Sequence, residues 1–324
     1  MQSNNQSPYP EDQVVAKVQG LILGSAIGDA LGHRLSLLTP QQIKNLKTTS
    51  LSYHDNLIAE KYGDKFQSSH WTDDTDQLLC ILDSLLQTKQ LHPLEVAQRL
   101  HSWSKNRPIG IGYTTLRVLR HPEYLTDPSN CAKQLWQSSN QENASNGGVM
   151  RTALVGVWNY TSPEVVRKNA ENLCKLTHYD PRCVGSCVVV SLAISYLLQG
   201  LNPVQFMDKL QQIGGSYHPE VAKYVDKAGD TLESLELEQP ESWGYTLNTM
   251  AVGLWSLLQA SSYTEGIAAI IHKGGDSDTN AAVAGALLGA KLGVSAIPQD
   301  LIRELKGAEL LLEKTNQLLM LNLT

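Results

Sequence analysis

The amino-acid sequence predicts an all-α fold, and three observations support this prediction. Apolar residues recur every three or four positions in many segments, as in residues 76–86 and 93–105, which is the spacing of an amphipathic helix. No segment shows the sustained apolar–polar alternation of a half-buried strand. The 324 residues include 42% hydrophobic side chains and no linker of distinct composition, which suits one large core. We therefore expect a disordered tail at residues 1–12 and a single all-α domain at residues 13–324.

The first predicted helix, residues 14–32, carries a stripe of small side chains that includes Gly20, Gly24 and Gly28. Each glycine inside a helix costs roughly 1 kcal/mol relative to alanine. Something must therefore approach this helix closely, and the sequence allows either another helix or a ligand. The polar and irregular residues 38–70 suit a loop over a site.

Further segments with helical spacing cover most of the remaining chain. Residues 183–198 are almost uniformly apolar, so we place this helix at the centre of the domain. Residues 106–115 are rich in Gly and Thr and predict a loop that enters a helix. The other segments in this series are 147–157, 163–176, 203–213, 219–235, 247–260, 264–271, 276–292 and 308–321.

Charge and cysteine usage narrow the class of protein. The net charge of −6 and the lack of a basic run argue against a nucleic-acid surface. The five cysteines are odd in number and form no CxxC pair, which indicates free thiols in a reducing compartment. The polar N-terminus lacks a signal-peptide core, and the apolar residues 184–198 are too few to span a bilayer. We expect a soluble cytoplasmic protein whose partners are neither nucleic acid nor a membrane.

Two clusters of Asp and Thr stand at predicted helix starts, and they read Thr72-Asp73-Asp74-Thr75 and Asp276-Ser277-Asp278-Thr279. Helix capping explains each cluster alone, because Asp and Thr cap helices and acids in the first turn favour the helix dipole. Carboxylates and hydroxyls are also the oxygen ligands that Mg²⁺ prefers. An EF-hand loop is excluded because Ala281 stands where that loop needs Gly and Leu287 where it needs Glu. If the fold joins the clusters, their four acids and two threonines suffice for a binuclear site.

Two further motifs suit contact with a phosphate or a ribose, although each also has a structural explanation. The run Asn146-Gly147-Gly148-Val149-Met150-Arg151 can present bare N–H groups at a helix start, but Asn-Gly is also a common turn. Arg151 suits a phosphate contact, a surface position or a bridge within the core. His178 lies in a turn between two predicted helices, where it is either structural or a ligand contact.

Five motifs, in this order along the chain, resemble the ADP-ribosylglycohydrolase family, which includes the dinitrogenase-reductase-activating glycohydrolase and the ADP-ribosyl-acceptor hydrolases. The resemblance spans roughly residues 17–293. The motifs are GSAIGDALG at 24–32, WTDDT at 71–75, NGGVMR at 146–151, TH at 177–178 and GGDSDT at 274–279.

The resemblance implies a compact multi-helix orthogonal bundle with two Mg²⁺ or Mn²⁺ ions as cofactors. It implies hydrolysis of the ribosyl C1″ bond of an ADP-ribosylated protein side chain or a related ADP-ribose conjugate. The metals would hold ribose hydroxyls and position a water, and we expect Asp74 and Asp276 to serve as catalytic carboxylates. The implied metal ligands are Thr72, Asp73, Asp74, Asp276, Asp278 and Thr279. The implied substrate contacts are Asn146, Gly147, Gly148, Met150, His178 and Gly275.

The sequence departs from the family at three places. Ser36 stands where many members carry a Glu, and Pro108 stands where members that act on arginine often carry an Asp. Asp76 and Gln77 replace small apolar residues, and Asp76 is either a compensating acid or a first-turn acid. These differences leave the acceptor side chain open. Ser36 and Pro108 favour, as an alternative, a non-catalytic ADP-ribose-binding homologue. A structural protein with a vestigial pocket is a further alternative, and the full set of six implied metal ligands argues against it.

Overall fold

The computed structural model describes residues 11–46, 51–53, 69–106 and 108–322, and this part of the chain is built from α-helices without any strand. The all-α prediction is confirmed. The helices are α1 Glu11–His33, α2 Pro40–Asn45, α3 Asp73–Thr88, α4 Pro93–Ser104, α5 Tyr113–Leu119, α6 Pro128–Ser138, α7 Val149–Thr152, α8 Pro163–Cys174, α9 Pro181–Leu198, α10 Met207–Gly215, α11 Pro219–Lys227, α12 Thr246–Gln259, α13 Tyr263–Ile271, α14 Ser277–Leu292, α15 Gln299–Glu304 and α16 Ala308–Asn322.

Several predicted boundaries change. Helix α1 begins at Glu11, inside the predicted disordered tail, whose first ten residues lie outside the described part. The predicted loop at 38–70 contains α2, which a capping box between Thr39 and Gln42 starts; its residues 47–50 and 54–68 are not described. The predicted helix at 219–235 ends at Lys227 and is followed by a separate 3₁₀ turn, Leu232–Leu235. Helices α6 and α15 were not predicted, and α5 was predicted only as the helix that the loop at 106–115 enters.

Helices α1 and α14 form the closest pair in the fold, and their contact explains the small residues of α1. A Cβ atom on Gly24 would lie 2.4 Å from the carbonyl oxygen of Gly285, and one on Gly28 would lie 2.1 Å from that of Ala281. Gly20 and Gly32 meet Gly289 and Ser277 in the same way. Each step of four residues along α1 matches a step of four back along α14, so the helices run antiparallel with their backbones in contact. The close partner of α1 is therefore a helix.

Helix α9 lies in the core, as predicted, and is buried along nearly its whole length. By length and composition alone, Asp12–His33 and Pro181–Leu198 could each cross a membrane. The second helix is longer than the apolar run at residues 184–198 that the sequence indicated. In the fold, 78% and 89% of their apolar windows are buried, as in the core helices of a globular protein. Around these helices, the starts of α3 and α14 face each other across the end of α1.

Candidate metal centre and ADP-ribose cleft

Asp29 on α1 fixes the start of helix α3. Its carboxylate is fully buried and accepts hydrogen bonds from the backbone N–H groups of Thr72, at 3.0 Å, and Thr75, at 3.1 Å. The hydroxyl groups of the same two threonines donate to it at 2.8 and 2.7 Å. A buried carboxylate is tolerated when such donors surround it. Asp29 thus turns Asp73 and Asp74 toward the start of α14.

Neither helix start uses its cap residue as a cap. Thr72 and Asp276 occupy the N-cap positions of α3 and α14, yet neither side chain accepts the usual hydrogen bond from the first helical turn. Asp276 Oδ2 instead accepts from Asn146 Nδ2 at 2.5 Å and from the Gly244 N–H at 3.1 Å. A cap of this type usually stabilises a helix by about 1 kcal/mol. Both helices forgo that hydrogen bond, so capping does not account for the two clusters.

The two clusters meet directly. Thr279 Oγ1 donates to Asp74 Oδ2 at 3.4 Å, and Thr72 Oγ1 lies 3.3 Å from the same oxygen. Asp278 accepts from Ser36 at 3.1 Å through Oδ1 and faces His33 Nδ1 at 3.5 Å through Oδ2. Asp74 Oδ1 is buried and has no hydrogen-bond partner within the described residues.

Most of the buried carboxyl groups in this cluster have raised pKa values. Burial and the neighbouring carboxylates raise the pKa of Asp73 and Asp74 well above the ordinary range. Burial, with the charge of Asp278, raises the pKa of Asp276 to about 7, and burial raises that of Asp29 to about 6. Burial also opposes the charge of Asp278, but the hydrogen bond and charge of His33 hold its pKa below the ordinary value. Positive charge placed among these acids would favour their ionised forms.

A cleft of about 270 Å³ opens above the acids. A larger hollow of about 880 Å³, lined by Gly229–Ser234 and Lys273, lies elsewhere and contains none of the predicted site residues. The predicted residues that line the cleft are Asp73, Asp74, Asn146, Gly147, Met150, His178, Asp276, Asp278 and Thr279. The structure thus brings most of the predicted site together.

Three predicted site residues do not line the cleft. Thr72 lies behind Asp74 and bonds to Asp29. A Cβ atom on Gly148 would meet the thiols of Cys174 and Cys187, so this side of the residue is closely packed. Gly275 has φ +63° and packs against the Leu237 carbonyl and the Trp243 ring, so it shapes the turn before Asp276. Substrate contact at Gly148 and Gly275 stays a prediction.

Other residues that line the cleft were not predicted from the sequence. One wall is formed by Gly110, Gly112, Tyr113 and Thr115, and other walls include Ser145 and Gly244. The prediction of a loop at 106–115 was the only available signal for the first wall. Asp29 carried a clearer signal, because an acid among the apolar and small residues of a core helix must bond to something.

The positions at which the chain departs from the family now have structural roles. Ser36 donates to Asp278, so a hydroxyl supports the acid. Asp76 accepts from the indole N–H groups of Trp71 and Trp103, both at 2.9 Å, and does not line the cleft. It is therefore neither a compensating acid nor only a first-turn acid. Gly110, two residues after Pro108, has φ +89° and lies against Asp73, where a Cβ atom would be 2.5 Å from Oδ1.

His178 reaches the cleft as a neutral ring. It is buried, and this burial together with the charge of Arg151 lowers its pKa to about 3. Its Nε2 atom lies 3.0 Å from Ser145 Oγ. Arg151 is fully buried beneath the cleft, so the core-bridging interpretation of this residue is correct and the phosphate contact is not.

The donor set fits hard divalent cations in its chemistry. Carboxylate and hydroxyl oxygens suit Mg²⁺ and Mn²⁺, and Asp74 Oδ1 lacks any other partner among the described residues. In the described part of the chain, no group of three or more His, Cys, Asp or Glu side chains is already arranged around one point. A bound cation would therefore have to draw the acids closer together.

Known proteins resemble this chain over nearly its whole length. A solved structure described as an ADP-ribosylglycohydrolase-related protein complex superposes with a TM-score of 0.72, at 25% identity, and covers 96% of this chain and 99% of that one. The ADP-ribosylarginine hydrolase Tri1 of Serratia proteamaculans is 24% identical over 95% of this chain and 80% of the relative. The ADP-ribosyl-[dinitrogen reductase] glycohydrolase of Rhodospirillum rubrum is 24% identical over 88% of this chain and 89% of the relative. Human ADP-ribosylhydrolase ARH3 is 22% identical over 91% of this chain and 90% of the relative.

Together with the helical fold and the acidic cleft, these relatives place the chain among hydrolases that act on glycosyl bonds. The family model for ADP-ribosylglycohydrolase matches residues 10–323. The chain therefore belongs to the ADP-ribosylglycohydrolase family.

Proposed function

We propose that the protein is a hydrolase that uses two Mg²⁺ or Mn²⁺ ions to cleave the ribosyl C1″ bond of ADP-ribosylated side chains or related ADP-ribose conjugates. One observation carries the proposal. Thr72 and Asp276 both leave their helix starts uncapped, and the acids beside them converge on one cleft. Such buried carboxylates disfavour the folded state unless a counter-charge joins them.

The residues at the two helix starts would hold the cations through oxygen atoms: Thr72, Asp73, Asp74, Asp276, Asp278 and Thr279. Bound there, the ions supply Lewis acidity toward the ribose hydroxyls and a water. Asp276 is oriented by Asn146 and by the Gly244 N–H, which both donate to its Oδ2 atom. We assign Asp74 and Asp276 the proton transfers to and from the reacting water and the leaving side chain.

The opposite side of the cleft would bind the ADP-ribose part of the substrate. Gly147 lines the cleft and lies against the ring of His178, where a Cβ atom would be 2.9 Å from Cε1, so a side chain at this position would crowd that ring. Asn146, Met150 and His178 complete this wall. Relatives named as acting on ADP-ribosylarginine or on ADP-ribosylated dinitrogen reductase support the same ligand class for this chain.

The test is release of ADP-ribose from chemically defined conjugates. Peptides ADP-ribosylated on arginine and on serine are incubated with the protein in Mg²⁺, in Mn²⁺ and in EDTA. We expect release from at least one conjugate with metal and none in EDTA. Absence of release from every conjugate under all metal conditions would refute the proposal.

A second candidate is a protein that binds ADP-ribose without turnover. It is favoured by Ser36, whose neutral hydroxyl donates to Asp278 where many relatives place a carboxylate. Calorimetric titration with ADP-ribose separates the two candidates when it is read beside the release assay. Tight binding with no release supports the second candidate.

We also propose a cytoplasmic location. All five cysteines are free thiols, and Cys131, Cys174, Cys183 and Cys187 are buried, which suits a reducing compartment. Fractionation of the source cells, followed by immunodetection, tests this placement. Recovery of the protein in an extracellular or membrane fraction would contradict it.

A further inference from the structure

A line of hydrogen bonds runs through the core beneath the cleft and centres on Arg151. The guanidinium donates to Gln77 Oε1 at 2.6 Å through Nη1 and to Thr177 Oγ1 at 2.5 Å through Nη2. Among the described residues, no carboxylate lies within ion-pair distance of it. Nη2 also lies 3.4 Å from the Leu173 carbonyl oxygen, and Nε is buried without a hydrogen-bond partner among the described residues. The side chains that Arg151 bonds to are thus both neutral, with Gln77 on one side and Thr177 on the other.

The hydrogen bonds form two arms that start at Arg151. The first arm runs through Gln77 to Asp73, on the metal side of the cleft. Because an arginine can only donate, Gln77 must present its oxygen to Arg151 and its NH₂ group away from it. That group donates to Asp73 Oδ2 at 2.8 Å. This hydrogen bond occupies one oxygen of Asp73, whereas Oδ1 lies on the side of Gly110 and the cleft.

The other arm ends at the substrate side. Thr177 Oγ1 accepts from Arg151, so its single hydrogen is available to His178 Nδ1, which lies 2.7 Å away. A neutral ring that accepts at Nδ1 carries its proton on Nε2. Nε2 then donates to Ser145 Oγ at 3.0 Å, which directs the Ser145 hydroxyl hydrogen elsewhere. Both Ser145 and His178 line the cleft, and because the Nε2–H group is bonded to Ser145, this wall presents the Ser145 hydroxyl as a donor.

We propose that Arg151 is a positioning residue that fixes hydrogen-bond polarity on both sides of the cleft, with the Nε2–H tautomer of His178 on one side and the orientation of Asp73 on the other. The significance of this arrangement for catalysis rests on the proposed function. The hydrogen bonds themselves belong to the folded chain. A wall that offers donors selects ligand groups rich in acceptor oxygens, such as phosphates and ribose hydroxyls, and disfavours cationic groups.

The tautomer of His178 is the first readout. Protein labelled with ¹⁵N-histidine is examined by long-range ¹⁵N–¹H correlation NMR without metal, and a His178→Gln variant assigns the signals. We expect the Nε2–H tautomer in the wild-type protein. Thr177→Val keeps the side-chain shape but removes the hydroxyl, so the tautomer should change or become mixed and ADP-ribose affinity should fall roughly threefold to tenfold.

Two variants serve as controls for the Thr177–His178 arm: one keeps the hydroxyl at position 177, and the other removes a buried hydroxyl elsewhere in the fold. Thr177→Ser keeps the hydroxyl and should keep the Nε2–H tautomer. Thr315→Val removes an equally buried hydroxyl in α16, which bonds to the Leu311 carbonyl far from the arm, and should leave the tautomer and the affinity unchanged.

The second readout is Mn²⁺ affinity, measured by electron paramagnetic resonance titration without substrate. Gln77→Met should weaken Mn²⁺ binding about tenfold, because groups that orient a metal ligand usually contribute that much, and it should leave the His178 tautomer unchanged. Arg151→Lys keeps the charge but loses the planar fork, so it should alter both readouts. If Arg151→Lys fails to fold, the two single-arm variants still decide.

A wild-type His178 protonated on Nδ1 overturns the proposal, as does an unchanged tautomer in Thr177→Val or unchanged Mn²⁺ affinity in Gln77→Met. Neither readout requires turnover, so failure of ADP-ribose release counts against the proposed function alone. If the wild-type protein binds no Mn²⁺, the metal dependence fails and the tautomer comparison decides the inference.

Discussion

Thr279 Oγ1 donates to Asp74 Oδ2 at 3.4 Å, and this contact joins helix starts that lie 205 positions apart in the sequence. Each start is stabilised from behind, by Asp29 on α1 for Thr72 and Thr75 and by Ser36, in the turn after α1, for Asp278. The candidate metal centre is therefore a three-part junction, in which α1 and the turn after it supply hydrogen bonds and the other two helices would supply the cation ligands.

Asp74→Asn should abolish metal binding and reduce ADP-ribose release at least a hundredfold, because it removes the charge from the acid whose Oδ1 atom has no other partner in the described residues. Metal content by elemental analysis and release kinetics measure the effect. Asp76→Asn is the matched control two positions away, since Asp76 bonds only to Trp71 and Trp103 outside the cleft. It should lower the free energy of unfolding by about 1–3 kcal/mol and retain metal. Wild-type turnover and metal content in Asp74→Asn would invalidate the site assignment.

The metal-free protein should become more stable as the pH falls from about 8 to about 6.5. The folded pKa values of Asp276, about 7, and Asp29, about 6, lie above those of an unfolded chain, so the folded protein takes up protons that the unfolded one does not. The lowered pKa of His178 acts in the opposite direction, but only below about 6.5. Thermal unfolding in EDTA should show a rise in Tm of a few degrees.

Two controls accompany the pH series. Asp276→Asn should reduce the rise in Tm, whereas Asp300→Asn, an exposed acid of α15, should leave it intact. Saturating Mg²⁺ or Mn²⁺ should suppress the rise, because a cation favours the ionised acids. An equal pH response with and without metal would show that these carboxylates do not hold the ion.

Ser36→Ala should weaken Mn²⁺ affinity roughly tenfold, because the Ser36 hydroxyl orients Asp278. Ser36→Thr, which keeps a hydroxyl, should bind Mn²⁺ more tightly than Ser36→Ala. Ser84→Ala is the control, since the Ser84 hydroxyl is buried in α3 without a partner in the described residues. Equal Mn²⁺ affinity in Ser36→Ala and the wild-type protein would leave Ser36 without a role at the site.

Gly28→Ala should reduce the free energy of unfolding by about 3 kcal/mol or more. Its Cβ atom would lie 2.1 Å from the Ala281 carbonyl oxygen, and neither backbone can move without disturbing the α1–α14 contact. Gly112→Ala adds the same atom at a position where, among the described residues other than its chain neighbours, no atom lies within 4 Å, and it should unfold like the wild-type protein. Chemical denaturation measures both variants, and equal stability would contradict the close-packing role of Gly28.

The sequence was sufficient to predict the helical class, because helical periodicity is a short-range pattern. The pairing of the Asp/Thr clusters followed from the family resemblance, since helix capping explains each cluster alone. Asp29 illustrates the limit. Its motif was recognised, but its bonds to Thr72 and Thr75 depend on how α1 crosses α3, which no local pattern specifies. Gln77 and Arg151 share this limit, because a polar side chain that bridges two core helices looks locally like any other polar residue.

The missed helices have a different cause. Helix α6 carries a clear start signal, with Asp127 as the cap and Pro128 at the first helical position, but apolar periodicity alone does not detect such a signal. Helix α15 has six residues, too few for apolar periodicity to stand out, and the seven residues of α5 are likewise too few to give its bounds.

The antiparallel contact between α1 and α14 also sets the order of events during synthesis on the ribosome. The Ser277 hydroxyl donates to the Gly32 carbonyl across 245 positions. The glycine face of α1 is therefore covered only after α14 has been synthesised. Until then, a nascent chain exposes an apolar N-terminal helix, the kind of surface that chaperones bind. The acids that would hold the cations come together only when α14 has emerged, so cation binding would report that α14 has been translated and has packed against α1.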